Sequence, residues 1–205
     1  MSPTRIALLL VLQISLAGTD VRAAEPAPAE LAKIVVKAAG GPEKLLKLFR
    51  MKEDLYLGSA VKPTVRTSVL EPPAHWWMSG RDRVVQDKEP AIDLVWGWSL
   101  TILVDPKSKL AAAPAVTIDD RPAVGLVVTE SVKLPMTLYF DAETHRLVRI
   151  DHRGHQTLFS EYREADGFHY PAKSKGINPQ GKEWYHTEIT SVERLAELPA
   201  GLERK

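Results

Sequence analysis

From Leu110 onward the chain alternates apolar and polar residues in short runs divided by turn residues, and this two-residue period constrains the fold more than any other feature. VTIDDRPAVGLVVTE (116–130) reads as a hairpin turning at Asp119-Asp120-Arg121-Pro122. PMTLYF, RLVRIDH, HQTLFSEY, GFHYPAKSK and KEWYHTEITSV follow as further strands, joined by DAETH, RG, READ and NPQG. Side chains on a strand point alternately to opposite faces, and connections this short join strands that run antiparallel. Such a meander makes one curved sheet, and helices must cover the apolar face it presents.

Those helices have candidates upstream. Leu31, Ile34, Val35 and Ala38 recur at three-four spacing within Ala29 to Ala39, which predicts an amphipathic helix ended by Gly40-Gly41. Pro42 suits the first turn of a second helix over Glu43 to Phe49. Ile92, Val95, Trp96, Ser99, Leu100 and Leu103 predict a third over Ala91 to Val104. Between them the period returns to two. Leu55, Leu57 and Ser59 share one face of a strand, and TVRTSVL and HWWMSG form two more, broken by Glu71-Pro72-Pro73 because proline cannot donate to a ladder. The predicted fold class is α+β: a curved antiparallel sheet, an incomplete barrel, covered by two or three helices.

The N-terminus has a different character. Ile6 to Ala17 is an apolar run too short to span a bilayer comfortably, preceded by Arg5 and followed by Val21-Arg22-Ala23, small residues where a signal peptidase cuts. We therefore expect residues 1–23 to be a signal peptide and 24–205 a single exported domain. Arg5, Arg22 and Asp20 fall in that leader; of 27 basic and 26 acidic residues, what remains is formally neutral. A neutral chain has no basic excess with which to neutralise phosphates, which argues against nucleic acid as a partner. The absence of cysteine removes disulfides, thiolate metal sites and thiol nucleophiles together.

Three of the six histidines crowd into THRLVRIDHRGH (144–155), next to Asp151. Along an extended strand His145 and His152 stand about 23 Å apart at roughly 3.3 Å per residue. Zinc ligands sit about 2 Å from the metal, so these two cannot share an ion. His145 closes the DAETH loop, a position that asks for a left-handed residue, which histidine tolerates better than most. His152 and His155 flank Arg153-Gly154 and could face each other, half a zinc site. By strand parity Asp151 points to the opposite face, so a third ligand would have to come from His169 or His186. An exposed polar pair at a hairpin tip is the alternative. No Gly-rich phosphate loop, G-x-S-x-G elbow or H-E-x-x-H stands in the chain, and no catalytic residue is expected.

Four of the five tryptophans fall in two clusters, Trp76-Trp77 and Trp96/Trp98. Trp76 and Trp77 are adjacent on a strand and take opposite faces. On a helix Trp96 and Trp98 diverge by about 200°, so only one of them points to the core. Such aromatics either fill the core or line a concave apolar cavity suited to acyl chains.

KAAGGPEKLLKL, RPAVGLVV, LYFDAETHRLVRID and FSEYREADGFHYPAK together resemble the helix–GG–helix opening and successive strands of the LolA/LolB-like superfamily of periplasmic lipoprotein-handling folds, of the exported kind typical of planctomycete genomes. The resemblance spans residue 30 to about residue 195. One departure is His145, which stands where the family's D-x-x-T-G hairpin has glycine. The resemblance implies a half-barrel enclosing a hydrophobic cavity, with Trp76, Trp96, Trp98, Leu100 and Tyr139 as candidate ligand-binding residues. It further implies a non-catalytic, monomeric periplasmic protein that binds or carries a lipid-like molecule or acyl chain and needs no cofactor or metal. Two alternatives stay open: an envelope sensor that passes a signal to a protein partner, as relatives of this architecture do in stress signalling, and a metal-dependent hydrolase using His152 and His155.

Overall fold

The computed structural model describes residues 26–78 and 90–204. The expected signal peptide, and the Ser79-Gly80 end of the HWWMSG strand, lie outside them. Helix α1 (Pro28–Ala38) precedes strands β1 (Phe49–Leu57), β2 (Thr64–Glu71) and β3 (His75–Met78). Helix α2 (Pro90–Trp98) and a short 3-10 helix (Thr101–Val104) lead into β4 (Lys109–Ile118), β5 (Arg121–Thr129) and β6 (Met136–Asp141). The chain continues through β7 (Leu147–His152), β8 (His155–Ala165), β9 (Phe168–Ile177) and β10 (Glu183–Arg194).

All ten strands form one antiparallel sheet in the order β3-β2-β1-β10-β9-β8-β7-β6-β5-β4. The first strand pairs with the last, so the sheet is a meander cut open between β3 and β4, where α2 crosses from one edge to the other. It curls around both helices without closing. Leu31 and Val35 of α1, Ile92, Trp96 and Trp98 of α2, and Leu126, Leu138, Phe140 and Ile150 of the sheet share one buried cluster. The helices thus cover the concave face, as the sequence predicts.

The turns follow from residues that accept positive φ. Asp119 and Asp120 (φ 48° and 61°) join β4 to β5, Arg153-Gly154 (53° and 78°) join β7 to β8, and His145 (55°) closes the loop after β6. That loop is held by Asp141, whose Oδ1 accepts the Thr144 N–H at 2.7 Å, the Thr144 hydroxyl at 2.8 Å and the Glu143 N–H at 3.2 Å. Burial alone would raise the Asp141 pKa; these bonds and the charge of Arg121 outweigh it and hold the carboxyl below its ordinary value.

Three expectations are corrected. Residues 43–49 are not a helix: only a turn follows Gly41, and Phe49 already begins β1. Leu45, Leu46, Leu48 and Phe49 are all buried, in two separate clusters, and one helical face cannot reach both. The guanidinium of Arg194 bonds the Leu45 carbonyl (2.9 Å) and that of Lys44, meeting acceptors a helix would have satisfied. The α-helix expected to run to Val104 stops at Trp98, because Leu100 is left-handed (φ 59°) and the chain restarts as a 3-10 turn. The READ turn shrinks to Asp166-Gly167, both at positive φ, with Arg163 to Ala165 absorbed into β8.

Candidate functional site

Inward-facing residues of β1, β2, β3 and β7–β10 stand opposite α2 across a cavity of about 440 Å3. Its wall is mostly apolar: Met51, Leu55, Ile150, Phe159 and Ile189 from the sheet, Leu94 and Val95 from the helix. This is the size of pocket that takes one small molecule or single chain, whose known range is about 300–1,000 Å3. Leu57 and Trp184 belong to the lining and are also solvent-exposed, which places the mouth at the end of the sheet where β1 stops and β10 starts.

A bulge helps to shape the wall. The register of β1 against β10 slips between Lys52 and Glu53, so that Met51 opposes Val192 and Glu53 opposes Ile189. One β10 residue is left over there, which bends the strand and increases its twist.

Polar groups are few and grouped. Glu53, 4% exposed, lies directly across from Arg66 of β2. Arg66 donates to Glu53 Oε1 from Nε (3.1 Å) and Nη2 (2.8 Å), and its guanidinium sits 5.4 Å from the centre of the Trp76 ring. Beside this pair the Tyr185 hydroxyl is 3.1 Å from the Thr157 hydroxyl, and Ser174 bonds Thr187 at 2.8 Å. Burial pushes the Tyr185 phenol up from its ordinary pKa, against hydrogen bonds to Thr157 and Ser174 that pull it down. It stays a neutral hydroxyl at physiological pH.

The five residues expected to bind a ligand separate into groups. Trp76 and Trp98 both line the cavity. Trp98 also packs into the core, 5.8 Å from Phe49 and 5.6 Å from Tyr170, and donates its Nε1–H to the Pro171 carbonyl at 3.1 Å. Trp96 is buried in the main core and lies outside the lining. Leu100 borders a separate cleft of about 10 Å3 beside His145 and Tyr162, room for at most one water. Tyr139 belongs to another cluster, with Ala113 and Ala123, and carries Arg149 over its ring at 4.3 Å. Its strand turns Leu138 and Phe140 into the main core, so Tyr139 points to the outer face.

His152 and His155 face each other as cross-strand partners, and both line the cavity beside α2. His152 is buried and tied to its neighbours, not exposed at a tip. Arg153 Nε donates to its Nε2 at 3.1 Å, Asp93 Oδ2 of α2 lies 3.2 Å from the same nitrogen, and the Pro135 carbonyl is 3.4 Å from Nδ1. His169 and His186, the possible third ligands, sit instead with Glu164 and Glu183. Among the described residues no group of three histidine or carboxylate side chains could hold a metal ion.

Sequence reasoning missed Glu53, Arg66 and Tyr185. A signal existed for the first: Glu53 shares parity with Met51, Leu55 and Leu57, so a carboxylate interrupts the apolar face of a strand. Nothing local marks Tyr185 as its neighbour, since β10 reaches β1 only through the closing of the whole meander.

No family model matches the sequence, and no curated protein matches it either. Solved structures do share the fold. A domain assigned to outer membrane lipoprotein sorting, from Vibrio parahaemolyticus, superposes with a TM-score of 0.51 at 11% identity over 84% of this chain and 94% of its own. A DUF1329 family protein from Desulfovibrio piger and a LolA superfamily protein from Nitrosomonas europaea each give 0.51 at 8% identity, over 85% of this chain and 96% of theirs. The fold is therefore LolA-like, an unclosed antiparallel half-barrel wrapped around helices.

Proposed function

We propose that the protein is a non-catalytic, monomeric binder or carrier of a lipid-like hydrophobic ligand, exported to the periplasm by a signal peptide cleaved after Ala23. The observation that carries this reading is the cavity of about 440 Å3, walled mostly by aliphatic and aromatic side chains and opening beside the exposed Leu57 and Trp184. Leaving so much apolar surface uncovered forgoes about 25 cal/mol per Å2 of burial, a cost that a ligand filling the space recovers. The lipoprotein-sorting assignment of the Vibrio parahaemolyticus domain, which has the same half-barrel, supports a carrier role.

The test is protein secreted from a Gram-negative host through its own leader, purified without detergent and examined by native mass spectrometry and uptake of an apolar fluorophore such as N-phenyl-1-naphthylamine. A mature chain beginning at Ala24 that carries a co-purified lipid or takes up the fluorophore is expected. Val95→Trp, which fills the cavity, should abolish uptake while leaving the fold intact. A wild-type protein that carries nothing and takes up nothing overturns the reading.

A further inference from the structure

The end of the sheet at which the cavity opens is set by strand register. There Leu57 pairs with Tyr185, Ile177 with Glu183 and Gln156, and His152 with His155 and Met136. Val128 with Met136 and Lys109 with Thr129 complete it. Among the described residues the large hydrophobic side chains left exposed are Leu57, Val61, Val65, Val104, Leu134 and Trp184. Each lies in a connection at this end or within two residues of one. Val61, in the β1–β2 turn, is 92% exposed. Singly exposed hydrophobics are ordinary; their confinement to one end of a sheet is not.

The same connections carry lysine. Lys62 follows Val61, Lys107 stands in the turn after Val104, Lys133 precedes Leu134, and Lys182 lies just before Trp184. All four lysines are exposed, and among the described residues none of them is in an ion pair. The carboxylates of this end are mostly engaged: Glu130 by Lys109, Glu183 by His186 and Asp93 by Arg153. Asp105 accepts the backbone N–H of Lys107. Turns between strands at the far end have the opposite character, with Asp119-Asp120, Glu143 and Asp166 and no lysine. The half-barrel is therefore polarised along its length, basic and apolar at the mouth and acidic in the turns of the closed end.

We propose that the mouth end is a docking face for the surface of an anionic lipid bilayer. A protein interface concentrates its anchors in a packed central patch. Here the apolar side chains stand one or two to a connection, each connection with its own lysine, which suits the boundary layer of a membrane. Val61, Leu134 and Trp184 dip below the headgroups, and the ammonium groups beside them stay among the phosphates. The mouth of the cavity then opens onto the acyl layer, and an apolar chain passes between bilayer and cavity without crossing water. The docking face rests on exposed residues and their charge, and holds whatever molecule fills the cavity.

Co-sedimentation of the mature protein with vesicles tests this, using phosphatidylcholine alone and an equal mixture of phosphatidylcholine and phosphatidylglycerol. Wild type should bind the mixed vesicles at least tenfold more tightly, and added salt should erase that preference. Lys62→Glu/Lys133→Glu should weaken binding at least tenfold, since one lysine at an anionic surface is worth about fivefold. Lys37→Glu/Lys47→Glu makes the same change in net charge at the far end, after α1 and before β1, and should stay within twofold of wild type. Val61→Ser/Leu134→Ser should cost at least fivefold. All three double variants replace exposed side chains and should melt with wild type. A wild type that ignores the mixed vesicles, two charge reversals of equal effect, or a serine variant that binds like wild type would each overturn the proposal. Self-association lost in Val61→Ser/Leu134→Ser, with no vesicle binding, would assign the face to a second copy and overturn it too. Fluorophore uptake without vesicle binding overturns the docking face alone; vesicle binding without uptake overturns the cavity reading alone.

Discussion

The ring of Tyr185 lies against Gly176, its cross-strand partner, so closely that a β-carbon at Gly176 would stand 2.0 Å from Tyr185 Cε1. The glycine is what lets an aromatic ring lie flat on the floor of the cavity and bring its hydroxyl to Thr157. Gly176→Ala should therefore destabilise the protein by about 1–3 kcal/mol, the usual cost of overpacking. Tyr185 would be lifted into the cavity, so fluorophore uptake should fall as well. Urea denaturation combined with the uptake assay checks both; an alanine variant as stable as wild type would mean the ring has another place to go.

Asp141 supports a hairpin loop through three hydrogen bonds to one carboxylate oxygen. Its pKa is lower in the folded chain than the ordinary 3.8, so the folded state favours the charged form. The sign follows directly. The contribution is fully present above about pH 4 and is lost as pH falls through the depressed folded value, where the unfolded chain binds the proton first. Asp141→Asn should lower the urea midpoint at pH 7 by an amount equivalent to about 1–2 kcal/mol. At pH 2.5 the gap to wild type should shrink markedly. A gap that held constant with pH would show that the loop depends on the shape of the side chain and not on its charge.

That loop also shows what the sequence made legible. His145 in the left-handed region, the Asp119-Asp120 and Arg153-Gly154 turns and the strand series after Leu110 are local matters, decided by φ preferences and a period of two. The cross-strand meeting of His152 and His155 is equally local and was readable from the two residues between them. Apart from the left-handed Leu100 that stops α2 and the shorter Asp166-Gly167 turn, what failed depended on long-range closure. Leu45, Leu46, Leu48 and Phe49 look helical in isolation, but tertiary burial divides them between two clusters and a strand claims Phe49. The helical angle between Trp96 and Trp98 predicts that only one of them points to the core, yet both are buried in the main cluster, because the sheet curls around α2; which of them also faced the cavity depended on where that curl put its open side. Tyr139 could not be assigned a face without knowing which set of alternating residues on β6 pointed inward.

The Glu53–Arg66 pair is buried on one side only, with the arginine side chain 27% exposed and the glutamate 5%. Removing Arg66 leaves a desolvated carboxylate without its partner. Arg66→Leu should cost toward the lower end of the about 3–5 kcal/mol seen when buried pairs are broken. The double change Glu53→Leu/Arg66→Leu replaces both with apolar groups and should recover most of that loss, because the pair's own net contribution is small after desolvation. Thermal melts of the wild type, both single variants and the double form the cycle. A double variant no more stable than Arg66→Leu would show that Glu53 has other partners in the fold.

Asp93 is the carboxylate by which α2 grips the sheet at the mouth side of the cavity, accepting from Arg153 Nη2 at 3.4 Å, with its Oδ2 also 3.2 Å from His152 Nε2. Helix α2 is short, and its apolar contacts are interrupted on one side by the cavity itself, so this polar anchor bears on how firmly the helix is seated. Because Arg153 Nε donates to His152 Nε2, the ring proton belongs on Nδ1, facing the Pro135 carbonyl. The anchor then consists of Arg153 bridging to Asp93, with the imidazole as packing and acceptor. Asp93→Ala should destabilise the protein modestly, by about 1 kcal/mol. Its larger effect should be local: amide exchange in residues 91–98 should accelerate at least tenfold while exchange in β8 and β9 stays within twofold of wild type. Arg153→Ala should reproduce that pattern, and His152→Phe, which keeps the packing but loses the acceptor, should not. If His152→Phe instead loosens α2 as much as Asp93→Ala does, the histidine and not the arginine carries the anchor.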